Sequence, residues 1–370
     1  MEKNNYQSFN FNQEEVELNQ KALLDVLYRI ENLSNINEIK LEINKILEIL
    51  KNNEKDVIGI LNVTECDKIF KIKKEVILDD LMQIIEAQTI ERLRYYIKRL
   101  KKILTEFKSS KINDLNLNRW KEYDDLITDS LWILNKRDNT GSHNAKYWGN
   151  FIPQIPNQFL RRYTKLGEWV LDPFLGSGTT LIECKRLGRN GIGVELLPEV
   201  AEMAKTNISL EPNIHNVKTE IINANSVELD FKSELKKRDI KSVQFIIMHP
   251  PYWDIIKFSN NTNDLSNAKS LEEFLKFFGC IIDNTYDILD KHRYLSIVIG
   301  DKYQKGEWIP LGFYIMNEVL KRKYKLKTII VKNFDFTKGK MKQKELWRYR
   351  ALVGGFYVFK HEYILLFQKV

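Results

Sequence analysis

Glycine and proline are nearly missing from the first 140 residues, where Gly59 is the only glycine and proline does not occur. The residues that make tight turns and break helices are therefore lacking there, which leaves room for long helices. Cysteine is scarce as well. Cys66, Cys184 and Cys280 lie far apart, with no CxxC pair and no histidine at a ligand spacing. That argues against a disulfide framework and a zinc site, and no metal is expected; free thiols suit a reducing, cytoplasmic setting. No run approaches the roughly 18 apolar residues that a membrane span needs. The segment MEKNNYQSFNFNQEE has no apolar core of the kind a secretory signal carries, so none is expected. Charge is not scarce: 58 Lys and Arg face 50 Asp and Glu, a net +8, which favours a polyanionic partner.

Two long segments repeat apolar residues at helical spacing. One runs from about Glu14 to Asn52 through Leu23, Leu27, Ile30, Ile39, Ile43, Ile46, Leu47 and Leu50, with a break at Asn35–Asn37. The other runs from about Leu78 to Lys108 through Leu81, Ile84, Leu93, Ile97, Leu100 and Leu104. Between them, VIGILNVTECDKIFKIKKEVI is rich in β-branched residues and has room for a short hairpin. Residues 1–130 are predicted to form a mostly helical domain, serving DNA recognition or dimerisation.

From about residue 140 the pattern becomes strand, turn, helix. WVLDPF, GIGVEL, EIINANSVEL, VQFIIMHPPY, YLSIVIGD, KTIIVKN and HEYILLFQK read as strands, with helical segments between most of them. Residues 131–370 are predicted to form an α/β domain with a parallel, doubly wound Rossmann-like sheet, whose ligands sit at the carboxyl ends of the strands. Both distinctive loops of the chain fall at such ends.

The first loop is VLDPFLGSGTT. Gly176 and Gly178 remove Cβ atoms where a ligand approaches the backbone, and the next helix begins with free N–H groups. Glycine-x-glycine after a strand is by itself unspecific, and neither GxGxxG nor GxxxxGK[ST] is present. Glu195, at the end of the next strand, is placed to accept both hydroxyls of a ribose. The string DPFLGSGTT resembles motif I of the amino-group DNA methyltransferases, which bind S-adenosylmethionine. The resemblance implies that Asp172, Phe174, Gly176, Gly178 and Thr179 line the methionine part of that cofactor, with Thr180 also among the cofactor-binding residues. It also implies that Glu195 binds its ribose, that Leu196 is among the cofactor-binding residues, and that Asn225 and Ser226 lie near its adenine.

The second loop is His249-Pro250-Pro251-Tyr252. An exocyclic amino nitrogen is a poor nucleophile because its lone pair is delocalised into the ring. A site that methylates it must accept hydrogen bonds from its N–H groups and hold the lone pair toward the methyl sulfonium. Two prolines stiffen the loop so that the Pro250 carbonyl can point inward, and Tyr252 offers a stacking face for a flipped base. The string is similar to motif IV of the same family, Asp/Asn/Ser-Pro-Pro-Tyr, with His249 as the departure. A neutral imidazole can accept one hydrogen bond or help remove a proton. Because the position is neither Asp nor Asn, the reading favours cytosine N4 over adenine N6.

GNFIPQIPNQFLRRYT resembles motif X, which closes over the methionine end of the cofactor, with Phe151 and Pro153 as its contacts. The order is thus motif X, motif I, motif IV, and the resemblance covers about residues 140–370. What it implies is a site-specific methyltransferase acting on double-stranded DNA in restriction–modification or defence. It leaves room for a homodimer and for a cognate restriction endonuclease. An RNA or protein-amide methyltransferase, and a non-catalytic DNA-binding subunit, remain as alternatives. DNA contacts are expected from Arg92–Lys102, from Lys321–Arg350 and from the polar loop after motif IV.

Overall fold

The computed structural model describes residues 14–53, 58–64, 67–144, 147–333 and 344–370. Cys66 and the part of the basic insertion from Lys338 to Gln343 lie outside them. The chain divides into two compact units. The first runs to Leu126, without residues 112–114, and the second takes those three and Ile127–Val370.

The first unit contains β1 (Glu15–Asn19), α1 (Gln20–Glu31), α2 (Ile36–Asn52), β2 (Ile69–Lys73), α3 (Lys74–Glu86) and α4 (Ile90–Thr105). Its core is built from the residues that the helical spacing marks, among them Leu23, Leu27, Ile39, Ile46, Leu81, Leu93 and Leu100. Asparagine starts two of the helices where glycine and proline are lacking. Asn19 Oδ1 accepts from Ala22 N at 3.1 Å and Asn35 Oδ1 from Asn37 N at 2.8 Å. Two expectations are corrected. Residues 15–19, read as helical, form a strand, because Val16 and Leu18 point inward at a period of two. Among the described residues the β-branched segment forms no hairpin of its own; its strand β2 pairs antiparallel with β1, Glu15 opposite Lys73.

The second unit contains β3 (Leu131–Trp132), α5 (Gln154–Tyr163), β4 (Trp169–Asp172), α6 (Thr179–Leu187), β5 (Asn190–Glu195), α7 (Pro198–Ser209), β6 (Thr219–Asn223), α8 (Phe231–Lys237), β7 (Val243–Met248), α9 (Leu271–Tyr286), β8 (Leu289–Ile299), β9 (Lys302–Gln304), β10 (Glu307–Ile309), α10 (Leu311–Leu320), β11 (Tyr324–Asn333), α11 (Lys344–Gly354) and β12 (His361–Lys369). Eight strands form one sheet in the order β3-β11-β12-β8-β7-β4-β5-β6. Strands β4 to β8 are parallel, but β12 lies antiparallel between β8 and β11, so the sheet is mixed where an all-parallel one was expected. Asn333 stands opposite His361; the chain turns back at one end of the sheet, and a return at the same end gives an antiparallel pair.

Both faces of the sheet are covered. Leu171, Ile246 and Met248 pack with Phe274, Phe278 and Ile315 of α9 and α10. Their neighbours Val170, Phe245 and Ile247 pack with Ile155 and Phe159 of α5. The alternation along β4 and β7 assigns each residue to one layer. From β4 the chain winds outward through β5 and β6, and from β7 in the other direction through β8. The order reverses between β4 and β7, and at such a point a crevice opens at the carboxyl ends of the strands. Among the described residues no helix is long and apolar enough to cross a membrane.

The first unit has an apolar core of its own, so Leu27→Ala, which truncates a fully buried side chain, is expected to destabilise that unit by about 2–5 kcal/mol. Urea titration followed by circular dichroism checks this. A loss below about 1 kcal/mol would mean that the α1 seam is not packed as described.

Candidate active site

Strand β4 ends at Asp172, whose side chain is fully buried. Its Oδ1 accepts from Phe174 N at 3.0 Å and its Oδ2 accepts from Thr180 Oγ1 at 2.6 Å. Burial pushes its pKa up to about 6, against the pull of these two bonds. Asp172 and Thr180 thus brace the turn from inside. Gly176 and Gly178 carry the turn at φ +54° and +92°, and a Cβ on Gly178 would stand 3.0 Å from Ile208. Gly178 is also the residue from which α6 starts.

Glu195, at the end of β5, reaches across to this loop. Its Oε2 accepts from Gly176 N at 2.9 Å and its Oε1 from Leu197 N at 3.0 Å. Burial raises its pKa to about 7, although these bonds favour the ionised form. Thr179 Oγ1 donates to Asn150 Oδ1 at 2.5 Å. Ser226 Oγ donates to the Pro173 carbonyl at 2.8 Å, and Asn225 Oδ1 accepts from Val227 N at 3.0 Å, closing the loop after β6. Phe174 and Leu196 are half-buried at the same strand ends. The residues expected from motif I and the two loops after it are therefore gathered around one turn.

The chain before α5 joins this turn to the second loop. Pro153 is the residue that precedes α5, and the Phe151 ring meets His249 edge-on at 5.0 Å. Sequence reasoning stopped at Phe151 and passed over two neighbours, Tyr147 and Asn150. The Tyr147 ring lies so close to Gly176 that a Cβ there would be 3.2 Å from it, and it stacks on Phe258 at 6.2 Å. Desolvation and the nearby Glu195 push its phenol pKa up. Asn150 stands inside the string that resembles motif X, and Tyr147 stands two residues before it.

The second loop follows β7. Pro250 is buried, and His249, Pro251 and Tyr252 are half-buried. His249 Nε2 lies 3.1 Å from Tyr252 Oη. The Tyr252 hydroxyl donates to Glu362 Oε2 at 2.7 Å, and Glu362 Oε1 accepts from Lys332 Nζ at 2.9 Å. Burial lowers the His249 pKa to about 4, with Lys332 adding to the effect and Glu362 opposing it, so the imidazole is neutral near pH 7. Tyr252 lies against the backbone of Gly300, where a Cβ would come within 2.7 Å of its ring. Glu362 and Lys332 had no signal in the sequence: Lys332 is one of three lysines in its strand, and Glu362 is 110 positions from Tyr252.

The basic segments divide. On α4, Arg94 donates to the Leu33 carbonyl, Arg99 bonds to Asp80 and Gln83, and Lys101 pairs with Glu31, so much of that helix's charge serves its own unit. Lys321 and Arg322 pair with Glu318, and Lys332 is buried. On α11, by contrast, Arg348, Tyr349 and Arg350 are exposed. The loop after Tyr252 is bonded within itself, through Ser259 to Asp264 and Asn267 to the carbonyls of Ser259 and Asn261. Among the described residues no cluster suits a metal ion.

The chain is similar to known methyltransferases. A type II methyltransferase of Methanocaldococcus jannaschii, M.MjaII, is 29% identical over 199 residues, covering 52% of this chain and 31% of that protein. M2.DpnII, a type II methyltransferase of Streptococcus pneumoniae, is 35% identical over 100 residues, 26% of this chain and 34% of that protein. The matched stretch is thus about a third of each relative's length. A solved methyltransferase from Pyrococcus furiosus aligns at 17% identity with a TM-score of 0.38, over 61% of this chain and 87% of that one. A family model described as DNA methylase, of the N6/N4 type, matches residues 32–206 and 243–370. With that match over most of its length, the chain belongs to the N6/N4 DNA methylase family, whose members are S-adenosylmethionine-dependent methyltransferases.

Proposed function

We propose that this chain transfers a methyl group from S-adenosylmethionine to the exocyclic amino group of a flipped base in double-stranded DNA, with cytosine N4 favoured. The observation that carries this reading is the juxtaposition at adjacent strand ends of two loops, the Asp172–Thr180 turn after β4 and His249–Tyr252 after β7. The residues suit that donor. Gly176 and Gly178 keep side chains out of the turn, and the Glu195 carboxylate beside it matches two ribose hydroxyls. Bound, the donor supplies a methyl group on a sulfonium sulfur. The remaining work falls to the second loop. His249, neutral and hydrogen-bonded, accepts from the amino group, the Pro250 carbonyl accepts beside it, and the Tyr252 ring stacks on the base. The loop holds no cysteine, so transfer is direct, without a covalent enzyme–base adduct.

The exposed Arg348, Tyr349 and Arg350 of α11 support a role in holding the duplex. The first unit serves recognition or dimerisation on this reading. The type II name of the relatives supports a place in restriction–modification beside a cognate endonuclease.

Expression in a host free of DNA methylation, followed by nucleoside mass spectrometry, is expected to reveal N4-methylcytosine in DNA. N6-methyladenine would reassign the base, and new methylated nucleosides in RNA alone would overturn the DNA substrate. Tyr252→Ala is expected to bind the methyl donor as the parent does and to lose transfer; equal loss of both would remove the loop from the chemistry.

Glu195 makes the donor's affinity depend on pH. Two ribose hydroxyls donating to its carboxylate favour the ionised form, so binding below its pKa of about 7 releases a proton. Affinity is therefore expected to rise from about pH 6 to about pH 8 and then level off. Calorimetry in buffers of different ionisation enthalpy should register that proton, and Glu195→Gln should flatten the profile. A parent profile as flat as the variant's would remove Glu195 from the ribose site.

A further inference from the structure

Replacing the acidic or amide residue of motif IV by histidine creates a problem that Asp, Asn and Ser do not have. Each of those can present an oxygen acceptor to the amino group. A neutral imidazole has one nitrogen that accepts and one that donates, and the donor facing an amino N–H would repel it. The site works only if something fixes which nitrogen carries the proton.

The buried chain behind His249 does this. Lys332 and Glu362 are about one-twentieth exposed and bonded at 2.9 Å, so Glu362 serves as an acceptor on both oxygens. The single Tyr252 hydroxyl proton goes to Glu362 Oε2 at 2.7 Å. Tyr252 Oη then has only lone pairs left for His249 Nε2, 3.1 Å away. Two acceptors cannot share a hydrogen bond, so Nε2 must bear the proton and Nδ1 is the acceptor. We propose that Glu362, anchored by Lys332, is a positioning residue that sets the tautomer of His249 through the Tyr252 hydroxyl and so makes Nδ1 the acceptor for the target amino group. This rests on the function proposed above for the motif IV loop, although the tautomer itself does not.

Long-range nitrogen–proton NMR on protein labelled with 15N-histidine reads the tautomer without any substrate, and His249→Asn identifies the resonance. The parent is expected to show the Nε2–H form at neutral pH. Tyr252→Phe, which keeps the ring, and Glu362→Gln are both expected to lose that form. Both should also lower kcat by about 10- to 100-fold, the range seen when a partner that orients a functional histidine is removed. Donor affinity and the KM for duplex DNA should stay unchanged. In a His249→Asn background, where no tautomer exists, Glu362→Gln should cost only a small fraction of that factor. An Nδ1–H signal in the parent overturns the proposal, and so does an undiminished effect of Glu362→Gln in the His249→Asn background. If DNA is not methylated at all, the substrate assignment fails while the NMR result still decides the tautomer.

Discussion

The hydrogen bond between Asp172 and the Thr180 hydroxyl ties the end of β4 to the first turn of α6 inside the protein. Removing a carboxylate from water is costly, and the turn repays it with two donors on its two oxygens. The turn in which Gly176 and Gly178 lie is fixed by that bond, and Glu195 fixes the same turn from the next strand. Because Ser226 also donates to Pro173 in this segment, three strand ends are locked to one another around the loop. Preorganisation of this kind means that little of a ligand's binding energy goes into ordering the loop.

Much of this was legible beforehand, and for a physical reason. Residues 172–180 are adjacent in the chain, so the glycines, threonines and aspartate that build the turn appear as one string. The helices of the first unit were equally visible, since Leu23, Leu27 and Ile30 repeat at the period of the helix they form. Strands β1 and β2 were not, because five residues hold too few periods to separate two from 3.6, and each strand's partner lies some fifty positions away. The antiparallel course of β12 was missed because HEYILLFQK has the same alternation in either direction.

The polar chain behind His249 shows the same limit more sharply. Tyr252 and His249 are neighbours in sequence, but Glu362 and Lys332 meet them only through the pairing of β11 with β12. Exposed charge and functional charge look alike in a sequence. On α4, three of the six cations of the basic run are engaged by Asp80, Glu31 and the Leu33 carbonyl, while Arg92, Lys98 and Lys102 are exposed. Lys332, one residue among many lysines, is buried and bonded to Glu362.

The position of β12 carries a consequence for how the molecule assembles. Both of its neighbours, β8 and β11, precede it in the chain, so neither pairing can form before this last segment is available. Pairings that wait for distant segments form late, since loop closure has to come first. A chain without β12 can fold the β4–α6 turn from local contacts, yet it lacks the carboxylate at the head of that strand. Competence to hold the donor and competence to use it would then arise at different moments of folding, in that order.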